Sequence, residues 1–463
     1  MTTRRRSILV VTADRLGAEL AGPAIRALAV ADELAPRHDV TLASVVPGEA
    51  VDRPYPVLVD PGEAGLRKAA ERAEIVVSQG WVLGGRPYLT TDDKIVLADI
   101  YDPMHLEQLE QGHEAGSDEG RRRAVHGAVS VLNHQLRRAD AMVCASEKQR
   151  DLWLGQLAGL GRINPRTYDQ DPTLRRLLDV VPFGLPATPP VHTKAAVRGV
   201  VPGIGATDPL LLWGGGIYNW FDPLTLLHAV DRLRVRHPDV RLYFMGLRHP
   251  NPEIPTMRMA HDAQQLAGEL GLTGTTVFFN EGWVPHGERQ NVLLEADLGV
   301  STHLDHVETE FSFRTRILDY LWAGLPVVAT RGDSLAELVD AEGLGITVGP
   351  GDVAGLHDAL DALLSSPERR AAAQERISVV RERFTWDRVL APISRFCDDA
   401  TPAADRADPL ARADIEALQW ERPVAQGWRG TVQRAADHLA ESGVRATLAR
   451  TVRRLTGGVG KER

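Results

Sequence analysis

Cysteine is almost missing from this chain of 463 residues: there are two, Cys144 and Cys397. They lie far apart and match neither a disulfide framework nor a zinc-ligand spacing, which points to a reducing, cytoplasmic setting. No segment approaches the roughly 18 unbroken apolar residues of a membrane span. Arg4-Arg5-Arg6 precede an apolar run, Ile8 to Val11, that stops before a signal-peptide core could form. Positive charge is not in excess. The 53 Lys and Arg face 62 Asp and Glu, a net charge of −9, which disfavours a nucleic-acid partner. Lysine itself is scarce, at five residues, so a phosphate-binding cation here is expected to be a guanidinium.

What is present is a globular composition, 43% apolar and 25% charged, over a length that suits about two domains. Short apolar runs alternate with longer amphipathic stretches, the pattern of parallel sheets covered by helices. Ser7–Thr12 reads as a first buried strand, followed by a glycine-containing turn and a helix over Ala24–Leu34. Further strands are expected at Asp39–Val46, Glu74–Ser78, Lys94–Ile100 and Ala139–Ala145. A Pro/Gly/Val-rich stretch then reads as a linker, and the alternation restarts. The second series of strands is Pro209–Trp213, Val240–Gly246, Thr275–Phe279, Asp297–Ser301, Leu325–Thr330 and Leu344–Val348. The expected fold is α/β, two doubly wound sheets in tandem. Ligands in such sheets bind beyond the carboxyl ends of the strands.

Two loops at such ends stand out. After the strand ending at Trp213 come Gly214-Gly215-Gly216, then Asp222-Pro223 at the start of a helix. Three glycines let backbone approach a ligand, and a helix N-terminus favours an anion such as diphosphate. A plain tight turn explains the glycines equally well, and no G-x-G-x-x-G fingerprint of a dehydrogenase is present here. The second is a polar loop that follows the strand ending at Ser301 and runs through Glu308, with a helix beginning near Arg314. Arg316 and Asp319 are three apart, hence on one helical face. A guanidinium there can fork onto phosphate oxygens, and a carboxylate one turn later can accept both hydroxyls of a ribose. The alternative is an i, i+3 ion pair on a solvated face. His303, Asp305 and His306 invite a metal reading, but they lack a fourth ligand, and no metal is expected.

Leu321 to Thr330 (LWAGLPVVAT), preceded by Asp319 and an aromatic residue, resembles the signature of retaining glycosyltransferase family 4 enzymes of the GT-B fold. In that family two glutamates separated by seven residues serve the donor, and the second holds the ribose. Asp319 occupies the second position; the first falls on Phe311, with Glu310 beside it. Arg316 matches a basic residue that some relatives use to hold diphosphate. The Gly-Arg and later Lys that many relatives carry in the loop Gly214 to Asp222 are absent. The resemblance therefore leaves the diphosphate to backbone N–H groups, Arg316 and Arg314. On the N-terminal side Gly22-Pro23-Ala24-Ile25-Arg26 is similar to the family's glycine loop, which places Gly22 on the acceptor side. Tyr101 and Asp102 stand where relatives carry a histidine and an acid near the anomeric carbon. Asp102 would then orient the acceptor hydroxyl, unless it is simply an Asp-Pro turn. His105 is an alternative base, or a helix-surface histidine. Glu310 and Asp102 are the candidates for hydrogen bonds around the reacting sugar.

The resemblance implies an acceptor domain over 1–185, a linker over 186–205, a nucleotide-sugar donor domain over 206–385 and a crossing helix over 386–398. Residues 399–463 are expected to form a further linker and a basic helical tail. Val444, Leu448, Val452 and Leu455 make an apolar stripe there with arginines around it, suited to anionic lipid or equally to docking on protein. The implied activity is transfer of a sugar from a nucleotide-diphosphate donor to an acceptor hydroxyl, with retention and without a cofactor, in cell-envelope polysaccharide, glycolipid or glycoconjugate synthesis. A sugar, lipid-linked or small-molecule acceptor fits, at the inner membrane face or free in the cytoplasm. A sugar-nucleotide epimerase and a non-catalytic GT-B partner subunit remain the alternatives.

Overall fold

Strand β1 (Ser7–Thr12) is buried along nearly its whole length because it is covered on both faces, so its sequence is continuously apolar rather than alternating. In the computed structural model, which describes residues 4–115, 117–250 and 256–408, β1 is an interior strand of a seven-stranded parallel sheet. Its other strands are β2 (Asp39–Ser44), β3 (Val57–Val59), β4 (Ile75–Gln79), β5 (Ile95–Asp99), β6 (Ala141–Cys144) and β7 (Leu178–Val180). The order is β3-β2-β1-β4-β5-β6-β7, and Val10 aligns with Leu42 on one side and Val77 on the other. A second parallel sheet holds β8 (Leu210–Trp213), β9 (Arg241–Phe244), β10 (Val277–Phe279), β11 (Leu298–Ser301), β12 (Val327–Thr330) and β13 (Gly345–Val348). Its order is β10-β9-β8-β11-β12-β13.

Both sheets reverse their order beside the first strand, at β1/β4 and at β8/β11, and that is where an open α/β sheet leaves a crevice for ligands. The loops leaving those strands face one another across a single cavity. Polar bonds join the two sides: the His286 amide donates to Ala18 O at 2.9 Å, and Gln149 Nε2 donates to the carbonyls of Tyr101 and Phe311, both at 2.8 Å. Along one margin the two connecting segments run side by side. The Leu185 amide donates to Phe384 O (2.8 Å) and the Trp386 amide to Leu185 O (3.1 Å).

Three features differ from the sequence reading. Strands β3 and β7 were not anticipated; each has three residues, too few for a periodic signal. The segment expected as one helix over 386–398 is two, Trp386–Val389 and Ala391–Asp398. Pro392, in the first turn of the second helix, has no amide with which to continue the first. Ile393 and Cys397 of that helix join the core of the N-terminal sheet, and Arg37 Nη1 and His38 Nε2 approach the Asp398 carboxylate at 2.7 and 3.1 Å. Residues 399–408 are tied down rather than free. Arg162 holds Asp405 bidentately (2.8 and 3.2 Å) with both side chains buried, and Arg406 reaches Asp140 at 2.7 Å. The basic stripe of the tail lies outside the described residues. Among the described residues, no helix is long and apolar enough to cross a membrane.

Candidate active site

Trp213 ends β8, and its indole is fully buried under the glycine loop, with Nε1 donating to Gly216 O at 3.2 Å. Gly215 takes φ +77°, a left-handed conformation that any Cβ would strain, and this folds the loop back over the strand end. The Gly214 amide is already used: it donates to Tyr320 Oη at 2.7 Å. Asp222 caps the next helix, Pro223–Leu233, by accepting the Thr225 amide at 2.9 Å.

Across this loop stands the helix Arg316–Ala323, so the expected helix start moves two residues later and Arg314 stays in the preceding loop. Arg316 is 8% exposed. Its Nη2 donates to Gly216 O at 2.8 Å, and its guanidinium lies 3.9 Å from the Phe221 ring centroid and 4.5 Å from that of Trp213. Its Nη1 is buried without a partner, and no carboxylate among the described residues pairs with it. Desolvation, with the positive charge of Arg314 adding to it, pulls its pKa down to about 10. A guanidinium in that condition is short of negative charge.

The two neighbouring cations are not. Arg314 makes a buried fork onto Glu308, Nη1 to Oε1 at 3.0 Å and Nη2 to Oε2 at 2.6 Å. Arg289 donates from Nε to Asp319 Oδ1 at 3.2 Å, with its guanidinium 4.8 Å from the Trp322 ring. Arg316 and Asp319 are therefore not an ion pair with each other. The Asp319 side chain is 39% exposed and lines the cavity.

Glu310 does not reach the cavity. It sits on the short helix Val307–Phe311, exposed, 3.6 Å from Lys148, while Glu308 two positions earlier turns inward to Arg314. The buried carboxylate of this loop is thus Glu308. His303 is buried too, facing Asp333 at 3.2 Å, whereas Asp305 points to solvent. The three suspected metal ligands do not converge, and among the described residues no group of three such side chains could hold an ion.

On the N-terminal side the cavity, about 460 Å³, is lined by Gly22, Tyr101 and Asp102, together with Asp14 and Glu107, which the sequence reading passed over. Gly22 opens the helix Gly22–Leu34, whose Arg26 is fully buried and grips Asp99 through Nε at 2.5 Å and Nη2 at 3.0 Å. The same guanidinium lies 4.9 Å from the Tyr101 ring. Burial raises the Asp102 carboxyl to about 7, against a hydrogen bond from Tyr101 that works the other way. Burial, then the charges of Asp102 and Glu308, hold Glu107 well above the carboxylate range. His105 faces away from the cavity onto Trp153, with ring centroids 5.6 Å apart.

Asp14 was findable, since it follows the first strand at its carboxyl end. Glu308 and Arg289 had no local signal, because their partners lie across loops with no helical period.

Two parallel Rossmann-like sheets facing across one cleft define the GT-B class of architecture. Residues 208–366, the stretch that holds the glycine loop and Arg316, match the family described as Glycosyl transferases group 1. A D-inositol 3-phosphate glycosyltransferase of Saccharomonospora viridis is 30% identical over 199 residues, 42% of this chain and 44% of the relative. The chain thus matches less than half the length of that relative. A glycogen synthase of Mycobacterium tuberculosis is 26% identical over 337 residues, 70% of each chain. The fold matches the sucrose-phosphate synthase of Thermosynechococcus elongatus with TM-score 0.60 at 16% identity, covering 85% of this chain and 99% of the other. It also matches Anabaena HepE, solved with UDP and glucose, at TM-score 0.58 and 15% identity over 85% and 100% of the two chains.

Proposed function

We propose that this protein is a glycosyltransferase that moves a sugar from a nucleotide-diphosphate donor to an acceptor hydroxyl with retention of configuration. The observation that carries the reading is Arg316, a buried guanidinium at the cleft wall with one N–H pair unused and no carboxylate partner among the described residues. A diphosphate supplies the missing charge, and the departing diphosphate gains more negative charge as the glycosidic bond breaks, so the same contact strengthens in the transition state. The amides of Gly215 and Gly216, rather than that of Gly214, complete the anion site. Asp319 holds the ribose, with Arg289 orienting the carboxylate.

The acceptor enters from the N-terminal side, where Asp102 orients its hydroxyl. In a retaining transfer without a covalent intermediate, the acceptor oxygen bonds to the anomeric carbon on the face the diphosphate leaves, and its proton passes to the departing phosphate oxygen. Closure of the two sides excludes water that would otherwise hydrolyse the donor. The UDP complex of the Anabaena relative and the group 1 domain support a nucleotide-sugar donor. A role in cell-envelope polysaccharide or glycolipid synthesis belongs to the same proposal.

Calorimetric titration with UDP, GDP and ADP tests it. Binding of one diphosphate, lost in Arg316→Met, is the expected result; no binding of any of them overturns the reading. The anomeric configuration of the first transferred product, read by NMR, tests retention.

A further inference from the structure

Gln149 lies in the first turn of the helix Glu147–Gly159 and is fully buried. Every polar atom of its side chain is used. Oε1 accepts the Ala145 amide at 2.8 Å, and Nε2 donates at 2.8 Å to each of two carbonyls, those of Tyr101 and Phe311. The partners fix which end of the side-chain amide is which, because a backbone N–H can only donate and a carbonyl can only accept. The residue's own N–H donates to the Ser146 hydroxyl at 3.1 Å, so the backbone beneath the side chain is anchored as well.

The two carbonyls belong to opposite sides of the cleft. Tyr101 and Asp102, both lining the cavity, sit in the link between β5 and the helix Met104–Gln111. Phe311 ends the short helix that carries Glu308, and Phe313 to Arg316 line the cavity just beyond it. The two N–H groups of one planar amide diverge at a fixed angle, so a single group sets the spacing of the two loops. Water cannot stand in for it, since the side chain is buried, and a carbonyl stranded there would stay unsatisfied. Lys148 also reaches across, with Nζ 2.6 Å from Glu337 Oε1, but both side chains meet solvent and such a pair holds little.

We infer that Gln149 is a positioning residue: it keeps the acceptor loop at Tyr101–Asp102 in register with the donor loop from Glu308 to Arg316, so that a diphosphate filling the anion site also settles the acceptor loop. This rests on the glycosyltransferase reading above. Gln149 does not line the cavity and touches no substrate; it acts through the backbone of the two loops. A diphosphate held by Arg316 orders the segment that follows Phe311. Order at the Phe311 carbonyl passes to the Tyr101 carbonyl, because both accept from one nitrogen. The coupling runs both ways, as binding free energies require: an acceptor that orders Tyr101 and Asp102 strengthens diphosphate binding. Methionine has the length of glutamine without its donors, and asparagine has the donors without the length, so neither can span the two carbonyls.

Amide hydrogen exchange, read by mass spectrometry on the full chain with UDP, GDP and ADP as probes, tests the inference. In the parent a saturating diphosphate should slow exchange about threefold or more in peptides covering 308–316, and also in those covering 100–104. In Gln149→Met and in Gln149→Asn the first protection should remain and the second should vanish. A merely structural glutamine would loosen both segments without separating their response to the diphosphate. Protection confined to 308–316 in the parent overturns the inference without any variant, and so does protection of both segments that survives in a folded variant. Absence of protection at 308–316 from every diphosphate overturns the donor reading, and this inference with it, so the two failures are told apart. Thermal melts show which variant is folded, and either one suffices.

Discussion

Arg289 Nε and Asp319 Oδ1 meet at 3.2 Å across thirty residues of sequence, and this pair fixes the one cavity carboxylate on the helix that begins at Arg316. The pair is partly open to solvent, so it adds little to stability, about 1 kcal/mol or less. Asp319→Asn should therefore leave the melting temperature nearly unchanged while weakening nucleoside-diphosphate binding roughly tenfold, the loss of one charged hydrogen-bonding group. Titration of the variant with unaltered affinity would remove Asp319 from the ribose site.

Arg316→Met separates stability from binding. The arginine is buried with no carboxylate partner among the described residues, and replacing an uncompensated buried charge with an apolar side chain of similar length relieves its desolvation. The melting temperature should rise. Diphosphate affinity should fall by about 1.5–3 kcal/mol, the scale of hydrogen bonds to charged groups. A variant both less stable and fully competent to bind would contradict both halves.

Glu308→Ala should be costly, about 3–5 kcal/mol, because it strands the Arg314 guanidinium beside Arg316 in a buried site. Arg314→Met in the same chain should recover most of that loss. A double-mutant cycle in urea measures the recovery. Additive losses would show that the two side chains are not coupled.

The Asp102 carboxyl, raised by burial from an ordinary 3.8 to about 7, fixes the sign of one pH effect. Between those values the folded chain holds a proton there that the unfolded chain has lost. Stability contributed by this group falls as pH rises from about 4 to about 7 and is flat above that. Thermal melts of parent and Asp102→Asn should therefore diverge across that window, with the variant showing the smaller pH dependence. Parallel curves would refute the shift.

Chelation addresses the diphosphate account. With Arg316 and loop amides taking the place of a divalent ion, transfer should persist in EDTA. Loss of activity that magnesium or manganese restores would require a metal in the donor site.

The sheets were legible because buried parallel strands are short apolar blocks bounded by turns, and β8 to β13 all fall within the blocks read from sequence. What escaped was structure with no period. Strands of three residues, the break at Pro392 and the tie between Arg162 and Asp405 depend on tertiary contact alone. At the site, Arg316 and Asp319 were visible as neighbours on a helix, and both line the cavity. Their partners were not. Glu308 lies six residues from Arg314 across a loop, and Arg289 comes from another helix, so no local spacing connects them. The family pattern points to Glu310, beside Phe311, whereas burial selects Glu308.

The paired connections at Leu185 and Phe384–Trp386 also determine how the molecule can breathe. One strand between two bodies is a swivel; two strands hydrogen-bonded side by side are a door hinge, which permits rotation about one axis and resists twisting. Gly184 lies against the Trp386 ring so closely that a Cβ would overlap it, which makes this the bearing surface of the hinge. A methyl group there would collide with the Trp386 ring and with Val389, so it could enter only by pushing the two connections apart.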